Sequence, residues 1–301
     1  MLLRYYREPN FGDALNPLIF EHFLPHFFDD DPSIEFCGIG SIIGLEINPR
    51  ANKKVIFSSG FAYGTLPTID DSFDFVCVRG PLTAELLKLP PGKAITDGAA
   101  LLRRMDFGAH PKKYKFSFMP HWESELKYPS WKAICEEADI LYLSPTTPIL
   151  EVIDKILESE VVIAEAMHGA IAADALRTPW IPVKAYNGIN AFKWNDWLNT
   201  LGLDYKPNPI RSMYGYNDFV VGLVDKKRPG LPAFLRNASL RSYVFGQESF
   251  LRSTAVKQLQ ALKKLEPTLS KEGILDSKVD QLLEALEQVR VRYSDKAAPR
   301  P

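Results

Sequence analysis

Short apolar runs alternate with amphipathic stretches along most of the chain. The runs at 1–8, 34–37, 55–58 and 75–78 have the length and the aromatic or β-branched content of strands. Segments 13–27 and 81–89 instead space their apolar side chains by three and four residues, as a helix requires, and Pro81 stands where a helix can start. A further short strand is expected at 94–96, followed by Asp97 and a small-residue helix start. The polar, turn-rich stretch 107–113 breaks the pattern, which then restarts. Strands are expected at 115–119, 140–143, 161–164 and 180–185, and helices at 131–138, 149–159 and 169–176. Beyond about residue 230 the periodicity turns helical, with 250–265 and 277–293 as amphipathic helices and 295–301 as a frayed tail.

Strand–turn–helix alternation predicts βαβ units, parallel sheets, and ligands beyond the carboxyl ends of the strands. The fold class is therefore α/β. Two consecutive α/β sections predict an N-terminal Rossmann-like domain over 1–108 and a C-terminal one over 109–230. They would face a cleft in the arrangement called GT-B among sugar transferases, with a C-terminal helical extension over 231–301.

Composition narrows the function classes. The 301 residues are 46% hydrophobic and 24% charged, which suits a globular chain with a full core. With 36 basic against 37 acidic side chains there is no basic excess of the kind nucleic-acid binding needs. Cys37, Cys77 and Cys135 form neither a CxxC pair nor a metal-ligand spacing, as expected in a reducing cytoplasm. The N-terminal stretch lacks the apolar core of a signal peptide, and no run of eighteen apolar residues occurs. A cytoplasmic protein without a metal is the expectation.

Several junctions carry candidate chemistry. Asn10-Phe11-Gly12-Asp13 follows the first strand and opens the first helix, where free N–H groups attract anions. Gly12 would let a ligand approach, while Asp13 acts as a base or, like Asn10, merely caps the helix. Gly38-Ile39-Gly40-Ser41 and Ser58-Ser59-Gly60 follow apolar strands, so Gly40, Ser41, Ser59 and Gly60 are candidate substrate contacts, although tight βα turns need glycine anyway. Neither GxGxxG nor GxxxxGK[ST] occurs. Arg79 ends another strand and offers a fork for phosphate or carboxylate, or else pairs with an acid such as Asp97. Asp97 is itself a substrate contact or a cap.

The richest segment is Glu165-Ala166-Met167-His168-Gly169, directly after an apolar run and before a Gly/Ala-rich helix. A carboxylate and a histidine three residues apart at such a junction suit general acid–base work, with Gly169 in the same turn. His121 stands at a comparable junction after strand 115–119, whereas His22, His26 and His110 have no such context. Trp194 and Trp197, at a helical step, fit a packed face better than a sugar platform.

In order and spacing across residues 10–197, the pieces Asn-x-Gly-Asp, Gly-Ile-Gly-Ser, Ser-Ser-Gly, Val-Arg-Gly-Pro-Leu-Thr, Thr-Asp-Gly-Ala-Ala-Leu-Leu, Met-Pro-His and Met-His-Gly-Ala-Ile-Ala-Ala-Asp-Ala-Leu-Arg-Thr-Pro-Trp resemble the polysaccharide pyruvyl transferases, the bacterial exopolysaccharide branch above all. The resemblance implies phosphoenolpyruvate as donor substrate, no cofactor, and a hexose in an oligosaccharide as acceptor, often lipid-linked at the cytoplasmic membrane face. Peripheral contact with membrane or assembly enzymes would follow. By position, His168 and Arg79 become the leading catalytic and donor-binding residues, with Glu165 or Asp13 as base. Many members carry Arg two residues before the matching histidine, where this chain has Ala166. The donor's anionic groups would then meet Arg79, Arg177 or a lysine. A nucleotide-sugar glycosyltransferase of the same fold and a non-catalytic glycan-binding protein are the rival expectations.

Overall fold

A computed structural model describes residues 1–7, 9–45, 47–128, 130–210 and 238–294. The part of the expected second domain beyond 210 and the expected tail at 295–301 lie outside the described residues. Strands β1 (Leu2–Arg4), β2 (Ile34–Cys37), β3 (Lys53–Phe57) and β4 (Phe73–Cys77) pair in sequence order into a wholly parallel sheet. All four residues of β2 are buried, the condition of a strand covered on both faces. Helix α1 (Phe11–Phe23) covers one face, where Phe20 meets Phe36 and Phe57 edge-on at 4.9 and 5.7 Å. Helix α2 (Pro81–Leu86) follows β4.

A second parallel sheet contains β5 (Tyr114–Met119), β6 (Leu141–Tyr142), β7 (Ser159–Ala164), β8 (Trp180–Lys184) and β9 (Asn208–Pro209), in the order β6-β5-β7-β8-β9. Strand order therefore reverses at β5, with β6 on one side and β7 on the other. At such a switch point the connections leave in opposite directions and open a crevice beyond the strand ends. Helices α3 (Trp122–Lys127), α4 (Trp131–Ala138), α5 (Ile149–Leu157), α6 (Met167–Ala175) and α7 (Ala191–Leu198) alternate with these strands, and α5 buries Val152, Ile153 and Ile156 on one stripe.

One contiguous core joins the two sheets. It includes Leu15 and Ile19 of α1, Leu101, Val152 and Ile156, Ala170 and Ala173 of α6, and Leu282 and Val289 further on. The small side chains of α6 allow this close layering: a Cβ on Gly169 would stand 2.7 Å from Met119 Sδ. Helix α8 (Ala238–Leu262) lays Leu251, Ala255 and Leu259 on the second sheet's helix α4. Helix α9 (Glu272–Tyr293) returns to the first half, where Arg103 and Arg104 pair with Asp276 at 3.0 and 2.8 Å and Tyr293 donates to Asp74 at 2.8 Å. No helix among the described residues is long and apolar enough to cross a membrane.

The strand expected at 94–96 does not form. Ala94 makes one bridge to Val78, after which Thr96 and Asp97 turn inward and bury their polar groups, and a 3₁₀ helix runs over Gly98–Arg104. Among the described residues the first C-terminal helix already runs at Ala238, earlier than its apolar spacing indicates, and α3 had no sequence signal of its own. Trp180, Trp194 and Trp197 form the expected packed cluster, with ring centroids 5.5 to 6.1 Å apart.

Candidate active site

Both sheets end at one cavity of about 250 Å³. Residues after β1, β2 and β3 line it from one side, those after β5 and β7 from the other, and Lys193 of α7 completes it. The second sheet contributes its switch point, so His121 and His168 arrive on adjacent parallel strands.

Asn10 caps α1, accepting from Gly12 N–H at 3.2 Å and donating to Asp13 Oδ2 at 2.6 Å. The helix therefore starts at Phe11, and Asp13 is left in its first turn facing the cavity. Burial pushes the Asp13 carboxyl up to about 6, against the pull of His168, Lys193 and Asn10. Pro17 lacks the N–H that would bond the Asp13 carbonyl, and Asn16 Nδ2 donates to that carbonyl instead at 3.0 Å. The same buried amide donates to Ile39 C=O at 3.0 Å and accepts from Ile39 N–H at 2.8 Å. A proline inside the helix was the signal for Asn16, which ties α1 to the Gly38–Gly40 turn.

Gly40 has φ 126°, open to glycine at little cost, and a Cβ there would come 3.1 Å from Asp13 Oδ1. Its carbonyl accepts from Ser59 Oγ at 3.0 Å and Gly60 N–H at 2.9 Å. Ser59 and Gly60, expected as substrate contacts, are thus consumed in holding the turn, while Gly40 and Ser41 line the cavity.

His168 lies in the first turn of α6 against Gly12: a Cβ on Gly12 would fall 1.9 Å from its Nδ1. The other ring nitrogen, Nε2, is 3.5 Å from Asp97 Oδ2. Asp97 is fully buried and caps the 3₁₀ helix through Ala99 N–H at 3.0 Å. Burial alone would raise its pKa, but His168, Arg79 and that N–H together hold it below the ordinary carboxylate value. Asp97 stands beside the histidine and caps the 3₁₀ helix but does not line the cavity, unlike the substrate contact expected of it.

Four further candidates do not line the cavity. Glu165 is fully buried, with Oε1 accepting from Ala185 and Tyr186 N–H at 2.9 and 2.6 Å and Oε2 from His121 N–H at 3.0 Å. Burial pushes its pKa up and the N–H donors pull it down. It ties the ends of β5, β7 and β8 together and places His121, and it does not line the cavity where the expected base would act. Arg79 is also fully buried, Nε on Asp196 at 3.1 Å, Nη1 on Ser41 Oγ at 2.7 Å and Nη2 on Phe61 C=O at 3.1 Å. Its acid is Asp196, not Asp97, because α7 packs on α2 and brings Asp196 to Thr83 as well. Arg177 sits at the far end of α6, roughly 13 Å along the axis from His168, and bonds Ser270. Gly169 packs on Met119 and not on the cavity.

His121 caps α3 and stacks on Tyr186 with centroids 5.7 Å apart. Lys193, which no motif singles out, enters from a helix more than a hundred residues from Asp13. Burial, then Arg79, lowers its pKa to about 8, although Asp13, Asp97 and Glu123 oppose the shift.

A family model described as polysaccharide pyruvyl transferase matches residues 10–186, from the cap of α1 to Tyr186 beside His121. The succinoglycan biosynthesis protein ExoV of Rhizobium meliloti (strain 1021) is 42% identical over 212 residues, which cover 68% of this chain and 67% of that protein. With its motifs converging on one cavity between two parallel sheets, the chain belongs to the polysaccharide pyruvyl transferase family.

Proposed function

We propose that the protein transfers pyruvate from phosphoenolpyruvate to two hydroxyls of one sugar in an exopolysaccharide repeat unit, forming a cyclic ketal. The observation that carries this reading is the meeting of Asp13 and His168, whose Nε2 stands 3.5 Å from Asp97, in one cavity with a half-buried lysine. Family membership and the succinoglycan relative support the substrate class.

Protonation of the donor's methylene carbon forms a methyl group and an oxocarbenium-like centre. One sugar hydroxyl attacks the oxocarbenium carbon, which bears the phosphate, and loses its proton; phosphate then leaves from that carbon, and the second hydroxyl closes the ketal on it. Of the two hydroxyl protons released, one balances the proton placed on carbon and the other leaves with phosphate. His168 serves as acid or phosphate partner, and Asp13 as the base for a hydroxyl. Tyr6 and Tyr63 border the cavity half-exposed, suited to stacking on the acceptor's sugar faces. A lipid-linked acceptor would place the reaction at the cytoplasmic membrane face.

Asp13 must be ionised to accept a proton, so kcat/KM should fall as pH drops through about 6. Asp13→Asn should remove that limb and reduce turnover by about 10²-fold or more. The same raised pKa means that the folded chain binds this proton more tightly than the unfolded one. Neutral-pH stability is therefore expected to hold or rise in the variant, as a melting curve at pH 7 would show.

Two measurements test the function. Purified protein with phosphoenolpyruvate and the cell's own glycan acceptor should release phosphate, whereas a requirement for a UDP- or GDP-sugar would reject pyruvyl transfer. Mass analysis of the exopolysaccharide from cells lacking the protein should show loss of a ketal pyruvate; an unchanged glycan would reject it equally.

A further inference from the structure

We propose, resting on the pyruvyl-transfer reading, that Lys193 is the cation that binds an anionic group of the donor and so sets donor affinity. Lys193 is the one Lys or Arg among the described residues lining the cavity. The two arginines expected to meet the donor are committed elsewhere: Arg79 to Asp196, Ser41 and Phe61, and Arg177 to Ser270. Among the described residues, no carboxylate lies within 4.0 Å of the Lys193 ammonium. Among the described residues its hydrogen-bond and ring partner is Tyr63, with Nζ 3.4 Å from the hydroxyl and 5.1 Å from the ring centroid. Lys193 is half-buried at the cavity wall, and an ammonium partly withdrawn from water without an ion-pair partner is stabilised when an anion enters beside it.

The opposite wall adds to the attraction. Helix α6 starts at the cavity with Ala166 as its N-cap, and Ala166 has no side chain to satisfy the first N–H groups. Ala166, Met167 and His168 line the same cavity as Lys193, so a helix N-terminus and an ammonium border one space, a combination suited to phosphate or carboxylate. Acids are present but set back: Asp13 from α1, Asp97 from the 3₁₀ helix and Glu123 from α3 act on Lys193 through space, while Arg79 behind β4 repels it. The acids keep the lysine protonated near neutral pH without occupying it. Its depressed pKa, about 8, is what burial beside Arg79 produces, and a bound dianion would raise it again.

The test is calorimetric titration of the full-length protein with phosphoenolpyruvate, and separately with inorganic phosphate, paired with steady-state phosphate release. Lys193→Met should weaken phosphoenolpyruvate binding by roughly 10- to 100-fold, the scale of a lost charged hydrogen bond. KM for the donor should rise while KM for the acceptor stays. Lys193→Arg should restore part of the affinity. Wild-type donor affinity should also decline as pH rises through about 8, and in the arginine variant that decline should vanish, because guanidinium stays charged. Weakened phosphoenolpyruvate binding with unchanged phosphate binding would assign Lys193 to the donor carboxylate; weakening of both would assign it to the phosphate. A folded Lys193→Met protein that binds phosphoenolpyruvate like the wild type would overturn the inference while leaving pyruvyl transfer intact. A wild-type protein that binds a UDP-sugar but no phosphoenolpyruvate would instead overturn the donor reading, and the inference with it.

Discussion

Replacing His168 with alanine is expected to lower phosphate release from phosphoenolpyruvate by about 10²–10⁴-fold, with the circular-dichroism spectrum unchanged. The size follows from what the imidazole alone supplies. It stands at the start of α6 with one nitrogen on the Gly12 side and the other 3.5 Å from a fully buried carboxylate. Asp97 favours a proton on Nε2 and so decides which nitrogen is free to exchange one at the α1 side. Asp97→Asn should then leave donor KM close to wild type while reducing kcat and shifting the pH profile, the signature of a positioning residue. A His168→Ala protein with full turnover would remove His168 from the chemistry altogether.

Breaking the Arg79–Asp196 pair is expected to be the largest single loss of stability, about 3–5 kcal/mol. Both side chains are fully buried, so removing Arg79 leaves the Asp196 carboxylate, among the described residues, with Thr83 N–H at 2.9 Å and Thr83 Oγ at 2.6 Å. The pair also joins the end of the first sheet to α7, the helix that carries Lys193. Denaturant unfolding of Arg79→Met should show the loss, and the double variant Arg79→Met, Asp196→Leu should recover much of it, since a neutral pair buries no orphan charge. A stable Arg79→Met protein with weakened phosphoenolpyruvate binding would show that Arg79 meets the donor itself.

Much of the fold was legible in the chain. Apolar runs of strand length separated by amphipathic stretches specify parallel βαβ layers, and helix 131–138 and strand 34–37 fall where periodicity puts them. The candidate site was legible as a set of junctions, because in such a sheet every functional turn lies beyond a strand's carboxyl end. Asn10, Gly12, Asp13, Gly40, Ser41, His121 and His168 do line one cavity. Thus the sequence by itself determined which turns could meet, since that depends on local periods of two and 3.6 residues and on short-range turn chemistry.

Only the tertiary structure decided what each polar group does once there. Glu165 and His168, three residues apart, have opposite fates: one spends both oxygens on three backbone N–H groups, and the other faces the cavity. Arg79 looked like an anion clamp until Asp196, 117 residues away, arrived beside it. Lys193 carried no local signal, and only the packing of α7 sets it over Tyr63 at the cavity wall. Burial and long-range pairing set these roles. A side chain's desolvation and its partners come from segments distant in sequence, so no local pattern encodes them.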